Sequence, residues 1–143
     1  MRLRFAAAIA AVLVGTGLGS AVAEQGAGGA AAEADGVQFA MGDPAAGEGL
    51  FRLCSQCHTV VPNQNRLGPT LFGVIGREAA ALPGFRYSPA MRDSGIVWTP
   101  EALDTFLETP TTVVPRSRMA FTGISDPEQR ANIIAYLMQF STD

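Results

Sequence analysis

Cys54, Cys57 and His58 are the residues whose types and spacing can do chemistry. They are the only two cysteines and the only histidine of the chain, and they fall within five positions as C-S-Q-C-H. Two thiols three positions apart can each add to one vinyl group of a haem, forming two thioether bonds. The histidine that follows then lies under the iron and can coordinate it. This is the attachment pattern of c-type haem. A C-x-x-C pair alone also serves thioredoxin-like redox sites and zinc sites. The first needs a βαβ context, and none is visible. The second needs four ligands, whereas three are at hand and no second C-x-x-C exists. A plain disulfide would leave the adjacent His58 unexplained. The same counts exclude a framework of several disulfides and any intramolecular bis-histidine site.

Iron held by His58 has a second face. With no other histidine, a protein ligand there must be a methionine, or the face is open. Met91, Met119 and Met138 lie in the region that reads as folded, with Met41 at its edge. Met138 falls on a helical stripe and reads as core, and Met91 lies in a short helix. Met119 stands in the segment VVPRSRMAF, a loop flanked by proline and apolar residues and far from His58 in sequence. It is the best candidate. A thioether ligand raises the potential relative to a second histidine.

The elements that must position these residues are few. Asp43-Pro44 reads as an N-cap followed by proline at the first helical position, and a helix can continue from Ala45 to Leu53. Gly47 and Phe51 share one face of it. Thr99-Pro100-Glu101 opens a helix whose stripe is Leu103, Phe106 and Leu107, stopped at Pro110. Ser125 with Glu128 reads as a capping box for a final helix carrying Ile133, Ile134, Leu137 and Phe140 at helical spacing. A short helix is expected near Pro89–Asp93. Between them run Gly- and Pro-rich loops over 61–76, 81–88 and 109–121. Four or so short helices with such long loops do not make a core by themselves. A haem in the middle would supply the missing apolar surface. The expected fold class is all-α.

The chain has 143 residues, which fits one domain. Residues 1–23 read as a secretory signal peptide. Arg2 and Arg4 precede an apolar run, and Ala21-Val22-Ala23 fits the cleavage pattern. An uncleaved membrane anchor is the alternative, since Phe5–Ala23 approaches the ~20 residues that span a bilayer. Residues 24–41 read as an Ala/Gly-rich linker too poor in apolar anchors to fold, and residues 42–143 as the folded domain. The formal net charge is −3, and all ten basic residues are arginine. Cleavage removes two Arg and no acid, leaving 8 Arg against 13 Asp and Glu, or −5. Such a chain is not a nucleic-acid binder.

From Gly42 onward the sequence resembles the class I c-type cytochromes, in the branch of mitochondrial cytochrome c and its bacterial periplasmic counterparts. The resemblance rests on Gly47-x-x-x-Phe51, Cys54-x-x-Cys57-His58-Thr59, Leu67-Gly68-Pro69-x-Leu71-x-Gly73-x-x-Gly76-Arg77 and Pro83-Gly84-Phe85-x-Tyr87. It continues in Gly95-Ile96-x-Trp98, Leu107-Glu108-x-Pro110, Val114-Pro115-x-x-x-Met119-x-Phe121 and Ala135-Tyr136-Leu137, in that order. It implies a small cytochrome c fold wrapped around one haem c, attached through Cys54 and Cys57, with His58 and Met119 as axial ligands. It further implies that the Pro69 carbonyl orients His58. Arg77, Tyr87, Trp98 and Ser117 would lie near the haem propionates, and Gly47 and Phe51 would pack against Tyr136. Phe106 and Met91 stand where mitochondrial members carry Tyr and Asn, so two polar groups are replaced by apolar ones.

The resemblance implies a monomeric electron carrier rather than an enzyme. It would work in the periplasm between redox protein partners: membrane oxidoreductase complexes, a terminal oxidase of a respiratory chain or a periplasmic dehydrogenase. A membrane-tethered cytochrome and a dedicated dehydrogenase subunit are the alternatives, and an enzyme or gas sensor would require Met119 not to bind. Mitochondrial members ring the exposed haem edge with lysine. Here Arg52, Arg66, Arg116 and Arg118 are the expected sources of positive charge, and Leu53 stands just before the haem motif.

Overall fold

Proline behind a capping side chain starts most of the helices. The computed structural model describes residues 42–141, so the expected signal segment, the linker and Met41 lie outside the described residues. Asp43 accepts from the Ala45 N–H to open α1 (Pro44–Leu50), and Ser88 accepts from the Met91 N–H to open α3 (Pro89–Arg92). Thr99 accepts from the Ala102 N–H to open α4 (Pro100–Glu108). Asp126 accepts from the N–H groups of Glu128 and Gln129 to open α6 (Pro127–Met138). Each such cap is worth about 1 kcal/mol, and proline loses nothing at a position whose N–H has no helical partner. Two one-turn helices complete the set, α2 (Arg52–Ser55) and α5 (Pro110–Val113). The described residues contain no strand, only an isolated antiparallel bridge between Glu78 and Val97.

Three local readings are corrected. The final helix is capped by Asp126 rather than by a Ser125–Glu128 box, because the carboxylate reaches two backbone donors while Pro127 takes the first helical position. Pro110 does end α4, but it also begins α5 inside the segment expected to be loop. The first helix breaks at Phe51, which closes α1 and serves as N-cap of α2.

The core gathers around α6, where Ile133 and Ile134 are fully buried and Leu137 nearly so. α1 lies directly on it. A Cβ at Gly47 would overlap the Asn132 backbone carbonyl and stand 2.9 Å from Tyr136 Cβ. Phe51 meets Tyr136 with ring centroids 5.2 Å apart. The Asp43 N–H donates to Asn132 Oδ1 at 2.7 Å, tying the start of the described chain to its last helix.

α4 contributes Leu103, Phe106 and Leu107 to the same core. Arg130 of α6 links the two helices. Its Nε donates to Asp104 Oδ1 at 2.7 Å and its Nη2 to Asp104 Oδ2 at 3.4 Å. Its Nη1 donates to the carbonyls of Ile124 and Ser125 at 2.9 and 3.0 Å. A buried guanidinium is tolerated only when its donors are satisfied in this way.

The α1–α6 contact leaves no room for one methyl group. Gly47→Ala is expected to lower stability by about 1–3 kcal/mol, read as a shift of the denaturant midpoint of the holoprotein.

Candidate functional site

The C-S-Q-C-H segment begins in α2 and runs past its end. The Cys57 and His58 N–H groups donate to the Cys54 carbonyl at 3.0 and 2.9 Å, closing a tight turn that carries both thiols and the imidazole. Cys54 is half-buried and Cys57 exposed, and no disulfide joins them.

His58 Nδ1 stands 2.7 Å from the Pro69 carbonyl oxygen. A carbonyl can only accept, so the proton resides on Nδ1 and the Nε2 lone pair is left available to a metal. Burial also holds the imidazole below its ordinary pKa, against the smaller opposing pull of that carbonyl. The neutral ring is the form that ligates. Gly68 makes the arrangement fit, since a Cβ there would overlap the imidazole ring. The Gly68 N–H donates to the Cys57 carbonyl at 2.8 Å, joining the Gly68-Pro69 segment to the haem motif.

Thr70 fixes that segment from the other side, and its role was not anticipated. Its buried hydroxyl donates to the Val61 carbonyl at 2.8 Å and accepts from the Phe72 N–H, while Asn65 Oδ1 accepts its N–H. A threonine directly after Gly68-Pro69 was the available signal.

These residues border a cavity of about 530 Å³, within the range of cofactor sites. Cys54, Cys57, His58 and Pro69 line it, and Met119 lines it from the distant loop. Of the other methionines among the described residues, Met91 also reaches the cavity and Met138 does not. The remaining wall is largely apolar, with Phe106 and Trp98 packed at 4.9 Å. Phe106 and Met91 both line it, so the two apolar replacements read from the sequence meet in one place.

Arg77, Tyr87, Trp98 and Ser117 line the same cavity. The backbone sets the first and third: the Gly76 N–H donates to the Trp98 carbonyl and the Trp98 N–H to the Arg77 carbonyl. Arg77 donates to the carbonyls of Phe72 and Thr70 at 2.8 and 3.1 Å. Its half-buried charge has no carboxylate within ion-pair distance among the described residues, where Arg130 makes both ion pairs. Burial accordingly lowers the Arg77 pKa and raises that of the Tyr87 hydroxyl, with the Arg77–Tyr87 interaction opposing each shift. A carboxylate entering this end of the cavity would find a cation and a phenol donor waiting. Ser117 Oγ accepts the Met119 N–H at 3.1 Å and so braces the methionine loop.

The donor set therefore fits a haem: two thiols, an imidazole with a committed Nδ1, a thioether on the same cavity, apolar walls and polar groups suited to carboxylates. No protein-family model matches the chain. It is similar to cytochrome c2 of Rhodopila globiformis, with 47% identity over 97 residues, 67% of this chain and 92% of that protein. Cytochrome c2 of Rhodomicrobium vannielii is 44% identical over 100 residues, 69% of this chain and 80% of that protein. Among solved structures, cytochrome cH from Methylobacterium extorquens superposes with a TM-score of 0.65 at 42% identity, covering 68% of this chain and 99% of that one. Cytochrome c2 from Rhodospirillum centenum superposes with a TM-score of 0.66 at 36% identity, covering 71% of this chain and all of that one.

The chain belongs to the class I c-type cytochromes. Within that family it is an electron carrier rather than an enzyme, and it carries one haem c joined covalently through Cys54 and Cys57. It works with redox partners.

Gly68 gives the sharpest test of the histidine cradle. Gly68→Ala is expected to push the imidazole off the Pro69 carbonyl and to lower holoprotein stability by about 1–3 kcal/mol. The thermal midpoint and the exchange protection of the His58 Nδ1 proton read out the two effects.

Proposed function

We infer that His58 and Met119 are the two axial ligands of the haem iron. The observation that carries this is their presence on one cavity, with His58 Nδ1 committed to the Pro69 carbonyl. The haem supplies a one-electron iron couple. The chain's residues do the rest. His58 is held neutral and in one tautomer. Met119 is braced through its own N–H by Ser117. Arg77, Tyr87, Trp98 and Ser117 would receive the propionates. The wall of Phe106, Trp98 and Met91 keeps water from the buried side. With His58 and Met119 both on the iron, no site would be left for a substrate, and electron transfer would be outer-sphere.

The carrier is further read as a periplasmic, monomeric shuttle between membrane oxidoreductase complexes, a terminal oxidase or a periplasmic dehydrogenase. Residues 1–23 would be removed on export and residues 24–41 would form a linker ahead of the folded domain. No helix among the described residues is long and apolar enough to cross a membrane.

Two outcomes are expected. The ferric protein at neutral pH shows the weak far-red charge-transfer band of methionine ligation, and Met119→Ala abolishes it while Met138→Ala does not. A wild-type spectrum without that band refutes the ligand assignment. The mature protein recovered from the periplasm begins at Glu24, checked by N-terminal sequencing. A chain that starts at Met1 and sediments with membranes would establish the tethered form instead.

A further inference from the structure

Met119 stands in a stretch that does little to hold itself in place. Residues 117–126 form neither helix nor strand. Among the described residues, 118–123 make no backbone–backbone hydrogen bond, and their one hydrogen bond runs from the Met119 N–H to Ser117 Oγ. The methionine is therefore held from the two ends of its loop. Upstream, the Ser117 N–H donates to the Val114 carbonyl at 3.2 Å and closes a turn in which Arg116 is left-handed, with φ +61°. Downstream, the chain is pressed onto the end of α4. Gly123 lies where a Cβ would overlap the Glu108 carbonyl, and the Ile124 N–H donates to the Leu107 carbonyl at 2.8 Å.

The next contacts belong to Arg130, whose side chain is only 6% exposed. An ion pair serving only to join α6 to α4 would need no more than Asp104, which Nε and Nη2 already engage. Nη1 goes to the loop instead, donating to the carbonyls of Ile124 and Ser125 at 2.9 and 3.0 Å. Asp104 fixes the guanidinium plane through both its oxygens, and Glu108 adds a carboxylate 3.8 Å from Nη1. A fixed plane in turn fixes where the two carbonyls lie. Without Arg130 both carbonyls would lose a charged donor, and the downstream end would keep only the Ile124–Leu107 bond and the packing of Gly123. Segments held by so few hydrogen bonds open at a lower free energy than the fold as a whole.

We propose that Arg130, held by Asp104, is a positioning residue for Met119. It fastens the downstream end of the methionine loop and so sets how readily the thioether leaves the iron. This rests on the reading of Met119 as axial ligand and extends it to what keeps that ligand in place. An external ligand reaches the iron only in the fraction of molecules whose loop is open, and its apparent affinity is reduced by that fraction. The chain has no lysine and no second histidine. No amine or imidazole side chain of its own competes for a vacated position, so free imidazole reports the opening directly.

The test titrates imidazole into the ferric holoprotein at neutral pH, follows methionine ligation by the far-red band, and records the thermal midpoint of each variant. Arg130→Met removes both carbonyl donors but keeps a long apolar stem. It is expected to tighten apparent imidazole binding by roughly ten-fold or more. Asp104→Asn, an isosteric change at a partly exposed side chain, loosens the guanidinium and tightens binding by roughly three-fold. It carries the test if Arg130→Met takes up no haem. Gly47→Ala is the comparison: it lowers the midpoint through the α1–α6 contact, which does not hold the loop, and leaves the imidazole affinity at the wild-type value. Unchanged affinity in the Asp104 and Arg130 variants overturns the proposal. Equal tightening in Gly47→Ala at a matching midpoint also overturns it, because the effect would then follow overall stability. A wild type without the far-red band overturns the axial-ligand reading and the proposal with it, whereas a wild type with the band and unresponsive variants overturns the proposal alone.

Discussion

The hydrogen bond between His58 Nδ1 and the Pro69 carbonyl, 2.7 Å long, sets the terms for the rest of the structure. A thioether-linked haem is already tied to the chain at Cys54 and Cys57, so the ring that follows has little freedom along the chain. What the covalent links do not fix is the rotation and protonation of the imidazole. The Pro69 carbonyl fixes both, because it accepts from one nitrogen and leaves the other bare. Proline suits the place, since it rigidifies the segment and carries no N–H of its own to satisfy. Gly68 must precede it because the ring occupies the space a side chain would take. Thr70 must follow it because the segment otherwise has no helix or strand to hold it.

The opposite wall depends on helices instead. Met119 belongs to no helix, and its position is set by what lies on either side of its loop. On one side α5 follows directly from α4, and Ser117 braces the methionine N–H. On the other, Arg130 holds the carbonyls of Ile124 and Ser125 while its remaining donors grip Asp104. One buried guanidinium thus joins α4, α6 and the end of the methionine loop. A break there would leave a buried charge unpaired, which is why such groups are costly to remove even where their net contribution is small.

Much of this was legible in the residues. The haem motif is a local pattern and needs no fold to be read. The helix starts were legible because proline behind Asp, Ser or Thr leaves few alternatives. The α4 stripe of Leu103, Phe106 and Leu107 and the α6 residues Ile133, Ile134 and Leu137 are buried as their spacing implies. The misreading at Ser125 came from two adjacent residues that can both cap, a choice decided by where Pro127 falls. The short α5 was missed because one turn has no periodicity to detect. Arg130 and Thr70 were missed for another reason. Arg130 is held by the Ile124 and Ser125 carbonyls and by Asp104 on another helix, and Thr70 by the Val61 carbonyl, and a carbonyl leaves no mark in residue type. The left-handed Arg116 was equally hidden, since only the turn closed by Ser117 and Val114 reveals that the position calls for glycine.

The absence of lysine acquires a physical meaning once the rim is seen. Leu53, 52% exposed, stands beside Cys54 on the cavity border, and Arg86 and Arg118 share that border. A lysine ammonium is a compact, strongly hydrated charge, and bringing it against a partner strips water at high cost. A guanidinium is delocalised and more weakly hydrated, and it accepts a carboxylate through two parallel N–H donors. A rim of arginine next to exposed leucine can therefore lose its water with less penalty than a rim of lysine. Leu53, Arg86 and Arg118 thus give the border, beside Glu78, both charge that acts at a distance and apolar surface that can be buried at contact.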